Sequence, residues 1–166
     1  MFKKSRLISS LFFLVLTLFL SACSTKSKDI LVDTSWIAEA DSSYIIFNKD
    51  NGFKWYKSKD VQDDNYYEGT YSFYMGQEAM NYITETLPEY YITKENLQEL
   101  FDKSEGLYEL DNLVCLILNN EIFILEGEKQ KTQIFVSNYY GFLIEEKTVF
   151  DIAKMNTAGH FLLIKE

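Results

Sequence analysis

The chain has 166 residues, and its 13 Phe, 12 Tyr and 2 Trp stand against one Pro and two Cys. This composition excludes collagen-like, low-complexity and disulfide-framework chains. Leu, Ile, Val and aromatic residues are spread along most of the chain, so we expect one globular domain with a packed core. The formal net charge is −9.

The first 22 residues have the pattern of an export signal. Lys3, Lys4 and Arg6 precede an apolar run over residues 7–20 that contains no charged residue. A charged start followed by a short apolar stretch is typical of a signal peptide. The run is shorter than the ~20 apolar residues that a membrane-spanning helix needs. The sequence therefore predicts a signal peptide over residues 1–22 that is removed during export.

The residues around Cys23 carry a more specific pattern. Leu20-Ser21-Ala22-Cys23 resembles the lipobox of bacterial lipoproteins, in which small residues precede a cysteine that is acylated on its sulfur. The resemblance implies that the signal is cut before Cys23, which becomes the first residue and carries a diacylglyceryl lipid. This lipid would anchor the protein on the extracytoplasmic side of the cell membrane. Two acyl chains are enough for stable attachment. The alternative is an ordinary secretory signal cut after Ala22. We expect residues 23–32 to form the lipidated start and a polar tether, and residues 33–166 to form the single domain.

The charge of the processed chain bears on its partners. Without Lys3, Lys4 and Arg6, 13 lysines and no arginine remain against 25 acidic residues, which gives a net charge of −12. Such a domain lacks the basic stripe or arginine forks that bind phosphates, which argues against nucleic acid as a partner. Anionic lipids would also repel it, so we expect membrane contact through the lipid alone. Alternatively, the acidic excess serves only solubility.

Cys115 is the only cysteine that remains once Cys23 is modified, so no intramolecular disulfide is expected. The apolar neighbours in the run 113–118 favour a buried thiol in the core. A catalytic dyad of Cys115 with His160, the only histidine, is the alternative.

The first part of the domain has strand patterns. Short β-prone runs occupy residues 35–40, 43–48 and 53–56, with Asn51-Gly52 as a hairpin signal before the third run. Residues 67–75 alternate, with Tyr67, Tyr71 and Phe73 on one face. This period of two predicts a half-buried strand.

The middle of the domain predicts two short helices around residues 77–104. Met80, Ile83 and Leu87 lie at helical spacing before Pro88. Thr93 is the expected N-cap of the second helix. Its apolar stripe consists of Leu97, Leu100 and Phe101 and ends before Gly106.

After residue 112 the chain again predicts strands. Asn119-Asn120 would join residues 112–118 and 121–126 as a hairpin. Both faces of the first of these strands are apolar, so one face would line the interior and the other would be covered by the two helices. Further strands are expected at 132–137, 141–145, 148–154 and 160–165, with turns at 137–138 and 156–159.

About eight short strands predict a mainly β fold, a small antiparallel β-barrel or curved sheet with the two-helix insertion. Thr34-Ser35-Trp36 followed by a hairpin resembles the opening of lipocalin-like bacterial lipoproteins, in which a Gly-x-Trp places the tryptophan at the closed end of the barrel. Here Thr34 occupies the position of that glycine.

Catalytic motifs are missing from the sequence. It has no Gly-x-Ser-x-Gly, no Gly-rich phosphate loop and no His-Glu-x-x-His. We therefore predict no catalytic residue, no metal and no cofactor, with His160 as a structural residue. Two alternatives remain open: a carboxylate pair acting on glycosides, which the 25 acidic residues do not single out, and Ca²⁺ at Asp60, Asp63, Asp64 and Asn65, which otherwise form a solvated loop.

Aromatic side chains next to the turns are the candidate ligand site. Their amphipathic rings would stack on a sugar, a peptide or an apolar ligand if they met at one rim. Alternatively, they reflect only the preference of sheets for aromatic residues. The candidates are Trp55, Tyr56, Tyr66, Tyr67, Tyr139 and Tyr140.

The predicted function is a lipid-anchored, non-catalytic binding module for a small ligand, a glycan or a protein. The alternatives are an accessory subunit that docks to a membrane complex, and a carboxylate-based hydrolase. An interior cavity lined by aromatic residues would favour the binding module, and an exposed apolar patch over a closed core would favour the accessory subunit.

Overall fold

Nine strands and two short helices are found in the computed structural model, which describes residues 30–130, 134–157 and 159–166. The predicted signal peptide, Cys23 and most of the tether lie outside the described residues. The strands are β1 Thr34–Ala38, β2 Tyr44–Phe47, β3 Gly52–Tyr56, β4 Tyr66–Met75, β5 Leu113–Leu125, β6 Glu128–Lys129, β7 Phe135–Ile144, β8 Val149–Lys154 and β9 His160–Lys165. The helices are α1 Gln77–Asn81, continued by a π-helical turn Tyr82–Thr86, and α2 Lys94–Lys103.

The strands form a closed antiparallel barrel. β1 to β4 are joined in chain order, and the sheet continues from β1 through β9, β8 and β7 to β5. β4 also pairs with β5, which closes the ring of eight strands, while β6 only extends the end of β5. The predicted fold class is confirmed. Closure leaves no unpaired edge among these eight strands.

The end of the barrel at which β1 begins is filled by large side chains. Trp36 is fully buried, and its ring lies 4.3 Å from that of Phe150. Its indole Nε1 donates a hydrogen bond of 2.9 Å to Thr34 Oγ1, so the threonine supplies a partner for the buried N–H. Leu31 is also fully buried, and the compact unit runs from Leu31 to Glu166. The folded part therefore begins two residues before the expected domain start at residue 33.

The two helices cover the outside of β5, as predicted. Leu113, Cys115 and Ile117 lie on the outer face of this strand and are buried against the helical segment. The buried helical residues of this second core are Ala79, Met80, Ile83, Leu87 and Leu97. Thr93 caps α2 in a reciprocal arrangement with Asn96. The two apolar faces of β5 are thus both buried, one inside the barrel and one beneath the helices.

The predicted hairpin at Asn119-Asn120 is wrong, because β5 runs through this point as one strand. Its pairing with β4 shifts here: Glu68 pairs with Ile122, and Thr70 pairs with Asn119. β5 therefore contains one extra residue, a β-bulge. The slip changes the alternation, so the even-numbered Leu118 lies on the interior face before the bulge and the odd-numbered Phe123 lies there after it.

The predicted turn at residues 137–138 is also wrong. β7 is continuous through this point, and its middle pairs with β5 on one side and β8 on the other. The polar side chains that suggested a turn have partners in the fold: Ser137 Oγ donates to Glu121, and Asn138 Nδ2 donates to Tyr90. Of the predicted strand at 132–137, residues 132 and 133 lie outside the described residues. The strands predicted at 148–154 and 160–165 are confirmed as β8 and β9.

Candidate functional site

A cavity of about 540 Å³ opens at the end of the barrel opposite to Trp36. This volume is within the usual range for a small-molecule site. The cavity lies where β3 ends and β4 begins, and the turn between β1 and β2 and the second half of β5 contribute to its walls. Its lining residues are Asp41, Ser43, Trp55, Tyr56, Lys57, Asn65, Tyr66, Tyr67, Glu121, Phe123 and Tyr139.

The aromatic wall follows from strand register. Trp55 pairs with Tyr67, and Tyr67 pairs with Phe123, so three aromatic side chains lie side by side across β3, β4 and β5. The rings of Tyr67 and Phe123 are 4.9 Å apart. The bulge in β5 is needed for this row, because it brings Phe123 onto the same face as Tyr67.

A second pair of rings borders the cavity. Tyr56 pairs with Tyr66, with ring centroids 5.1 Å apart. Tyr56 follows Trp55 in the sequence, and Tyr66 precedes Tyr67. The Tyr56–Tyr66 pair therefore lies on the opposite face of the sheet from the Trp55–Tyr67 pair, at the end of β3 and the start of β4. Lys54 Nζ donates to the Tyr66 hydroxyl at 3.3 Å and fixes this ring from the outside.

Polar groups also line the cavity. Tyr139 is almost fully buried, and this burial together with the nearby Glu121 carboxylate raises the pKa of Tyr139 to about 12. Glu121 Oε2 accepts a hydrogen bond of 2.9 Å from Ser137 Oγ. Asp41 Oδ1 accepts from the Ser43 backbone N–H at 2.9 Å. Each lining carboxylate is therefore held by a neutral donor of the protein.

Five of the six aromatic residues expected to meet at one rim line this cavity: Trp55, Tyr56, Tyr66, Tyr67 and Tyr139. The expectation was wrong for Tyr140. Neighbouring strand residues point to opposite faces, so Tyr140 lies on the outer face and packs against the helical core. Sequence reasoning missed Phe123 and Glu121, because a hairpin was expected where the bulge lies.

The structure does not bring Cys115 and His160 together. Register places them on β5 and β9 with β7 and β8 between, which is about 14 Å at the usual strand spacing. Cys115 is a fully buried core residue, and this burial raises the pKa of its thiol to about 12. His160 Nε2 instead contacts Asp151 Oδ1, and Asp151 Oδ2 accepts from the Tyr108 hydroxyl at 2.7 Å.

Polar groups of the acidic loop are hydrogen-bonded to other protein groups, within the loop and just beyond the end of β5. Asp63 Oδ1 accepts from the Asn65 backbone N–H, and Asn65 Oδ1 accepts from the Glu126 N–H. Among the described residues, no three His, Cys, Asp or Glu side chains are arranged to hold a metal ion.

No protein-family model, no curated protein and no solved structure matches this chain. In the part of the chain that the structure describes, no helix has the length and apolar character to cross a membrane. The fold and the site define a small closed antiparallel barrel, filled at one end and hollow and aromatic at the other.

Proposed function

We propose that the protein is a lipid-anchored envelope lipoprotein whose barrel binds a small ligand or a glycan, without catalysing a reaction on it. The observation that carries this proposal is the aromatic cavity at one end of the barrel. The opposite end is closed by fully buried rings, so the space is confined to a single mouth.

The incomplete packing of this end supports a binding role. Phe47, Phe53 and Phe150 are fully buried in the barrel, whereas Tyr67 in the cavity is 39% exposed. Leaving large apolar rings in contact with water forfeits stabilisation that the filled end obtains. A ligand that covers these rings would recover it.

The point at which the chain enters the folded unit and the cavity lie at opposite ends of the barrel. The lipobox resemblance supports lipidation at Cys23, and the chain enters the folded unit at Leu31, beside the start of β1. The mouth lies at the end of β3. This supports an attachment through Cys23 that leaves the cavity open to a ligand.

Titration of the full chain with Nile red, a neutral apolar dye, tests the proposal. We expect saturable binding that Tyr67→Ala weakens about tenfold, which corresponds to the loss of about one large apolar contact. Tyr91→Ala is the matched control, because Tyr91 is 86% exposed and lies outside the cavity. Equal weakening of dye binding by both variants would contradict a ligand site in this cavity.

A second candidate is an accessory subunit that docks to a membrane complex. Exposed apolar residues near the ends of β5 and β7 favour it, since Leu125, Ile134 and Val136 are 43%, 63% and 59% exposed. If this face is an interface, Val136→Glu will reduce the size of the particle extracted from the envelope while Nile red binding is unchanged. An unchanged size would remove this candidate.

A further inference from the structure

Among the described residues, the carboxylate of Glu121 has only a neutral partner. Its Oε2 accepts from Ser137 Oγ, and no ion pair with a lysine or histidine is found for Glu121 within the described ranges. Its charge acts on Tyr139, whose pKa it helps to raise. A partly desolvated carboxylate without a cation is costly, and a positively charged ligand would offset that cost.

The walls of the cavity suit the same kind of ligand. Aromatic rings attract cations through the negative potential of their faces, and the attraction increases when water is excluded. The lining contains two acidic residues and a single lysine, Lys57. The net charge of −12 on the processed chain also favours the approach of cations. An anionic ligand would find no arginine in residues 23–166.

We propose that the ligand is a protonated organic amine, with its ammonium group bonded to the Glu121 carboxylate and its apolar body against Trp55, Tyr67 and Phe123. This inference rests on the proposed binding function and specifies its ligand class. A quaternary ammonium group fits less well, because it has no N–H to donate to the carboxylate.

The test compares n-hexylamine with 1-hexanol, which has the same chain length and no charge. Calorimetric titration of the full chain at neutral pH will give at least tenfold tighter binding of the amine, the ratio expected for one charge-assisted hydrogen bond. Glu121→Gln will remove this preference, since it keeps the shape and loses the charge. Glu128→Gln, a change at an exposed carboxylate outside the cavity, will retain it.

The remaining outcomes distinguish a failure of the amine proposal from a failure of the proposed ligand-binding function. Equal binding of hexanol and hexylamine, or binding of Nile red without either, would overturn the amine and leave a cavity for neutral ligands. If the amine, the alcohol and the dye all fail to bind, the proposed binding function itself is wrong.

Discussion

The fold leaves no room for a side chain at Gly141. A Cβ built at this position would lie 2.0 Å from the carbonyl oxygen of Asp151 and 2.7 Å from the Cα of Ile152, both backbone atoms of β8. We predict that Gly141→Ala forces β7 and β8 apart and lowers the free energy of unfolding by about 3 kcal/mol or more.

Urea unfolding measures this loss, with Gly127→Ala as the control. Gly127 has a positive φ, and no atom lies within 4 Å of its added Cβ. The alanine there costs only the strain of a left-handed backbone, about 1–2 kcal/mol. Equal losses in the two variants would show that β7 and β8 do not approach as closely as described.

At the same scale, the sequence identified most of the cavity residues but not all of them. Trp55, Tyr56, Tyr66 and Tyr67 flank a loop between two neighbouring strands, so local reasoning places them together. Phe123 is 56 positions away from Tyr67 in the sequence and reaches it only through the bulge in β5. Such a contact depends on non-local pairing, which no short window of sequence contains.

The helices act as a cover for β5. Leu97 in α2 is fully buried in the core that contains Cys115 and Ile117. We predict that Leu97→Ala lowers the free energy of unfolding by about 2–5 kcal/mol, since it leaves a cavity between the helix and the barrel. Gln98→Ala, on the exposed side of the same helix, should change it by no more than about 0.5 kcal/mol. Chemical unfolding of both variants checks this, and a small effect of Leu97→Ala would mean that α2 does not seal the outer face.

Elements with strict alternation or clear capping were predicted well. β4, β8, β9 and α2 carry their signals locally, in alternating residues or in a Thr cap. β5 and β7 were divided in error because Asn119-Asn120 and Ser137-Asn138 favour turns in isolation. Pairing on both sides of each strand outweighs that local preference.

For the whole molecule, the sequence predicted the class of fold but left closure open. Closure depends on the ladder between β4 and β5 and on that between β1 and β9, which join segments far apart in the chain. Local periodicity predicts strands, whereas these pairings depend on the complete set of strands and their twist.

The proposed lipid anchor also belongs to the scale of the whole molecule. We predict that the wild-type chain, expressed in a bacterium that processes lipoproteins, sediments with membranes and carries a diacylglyceryl mass on Cys23. Cys23→Ser should lose this mass, because serine has no thiol to acylate, whereas Cys115→Ser should keep it. An unmodified Cys23 in the wild-type chain would contradict the anchor.

Binding of a ligand in the open end of the barrel is tested most directly by the two tryptophan indole N–H signals in a ¹H–¹⁵N NMR spectrum. Trp55 lines the cavity and Trp36 is buried at the closed end, hydrogen-bonded to Thr34. On titration with n-hexylamine or 1-hexanol, we predict that the Trp55 signal moves to a saturable end point while the Trp36 signal stays in place. Two signals that both remain still, or that move together, would contradict a ligand site at this end.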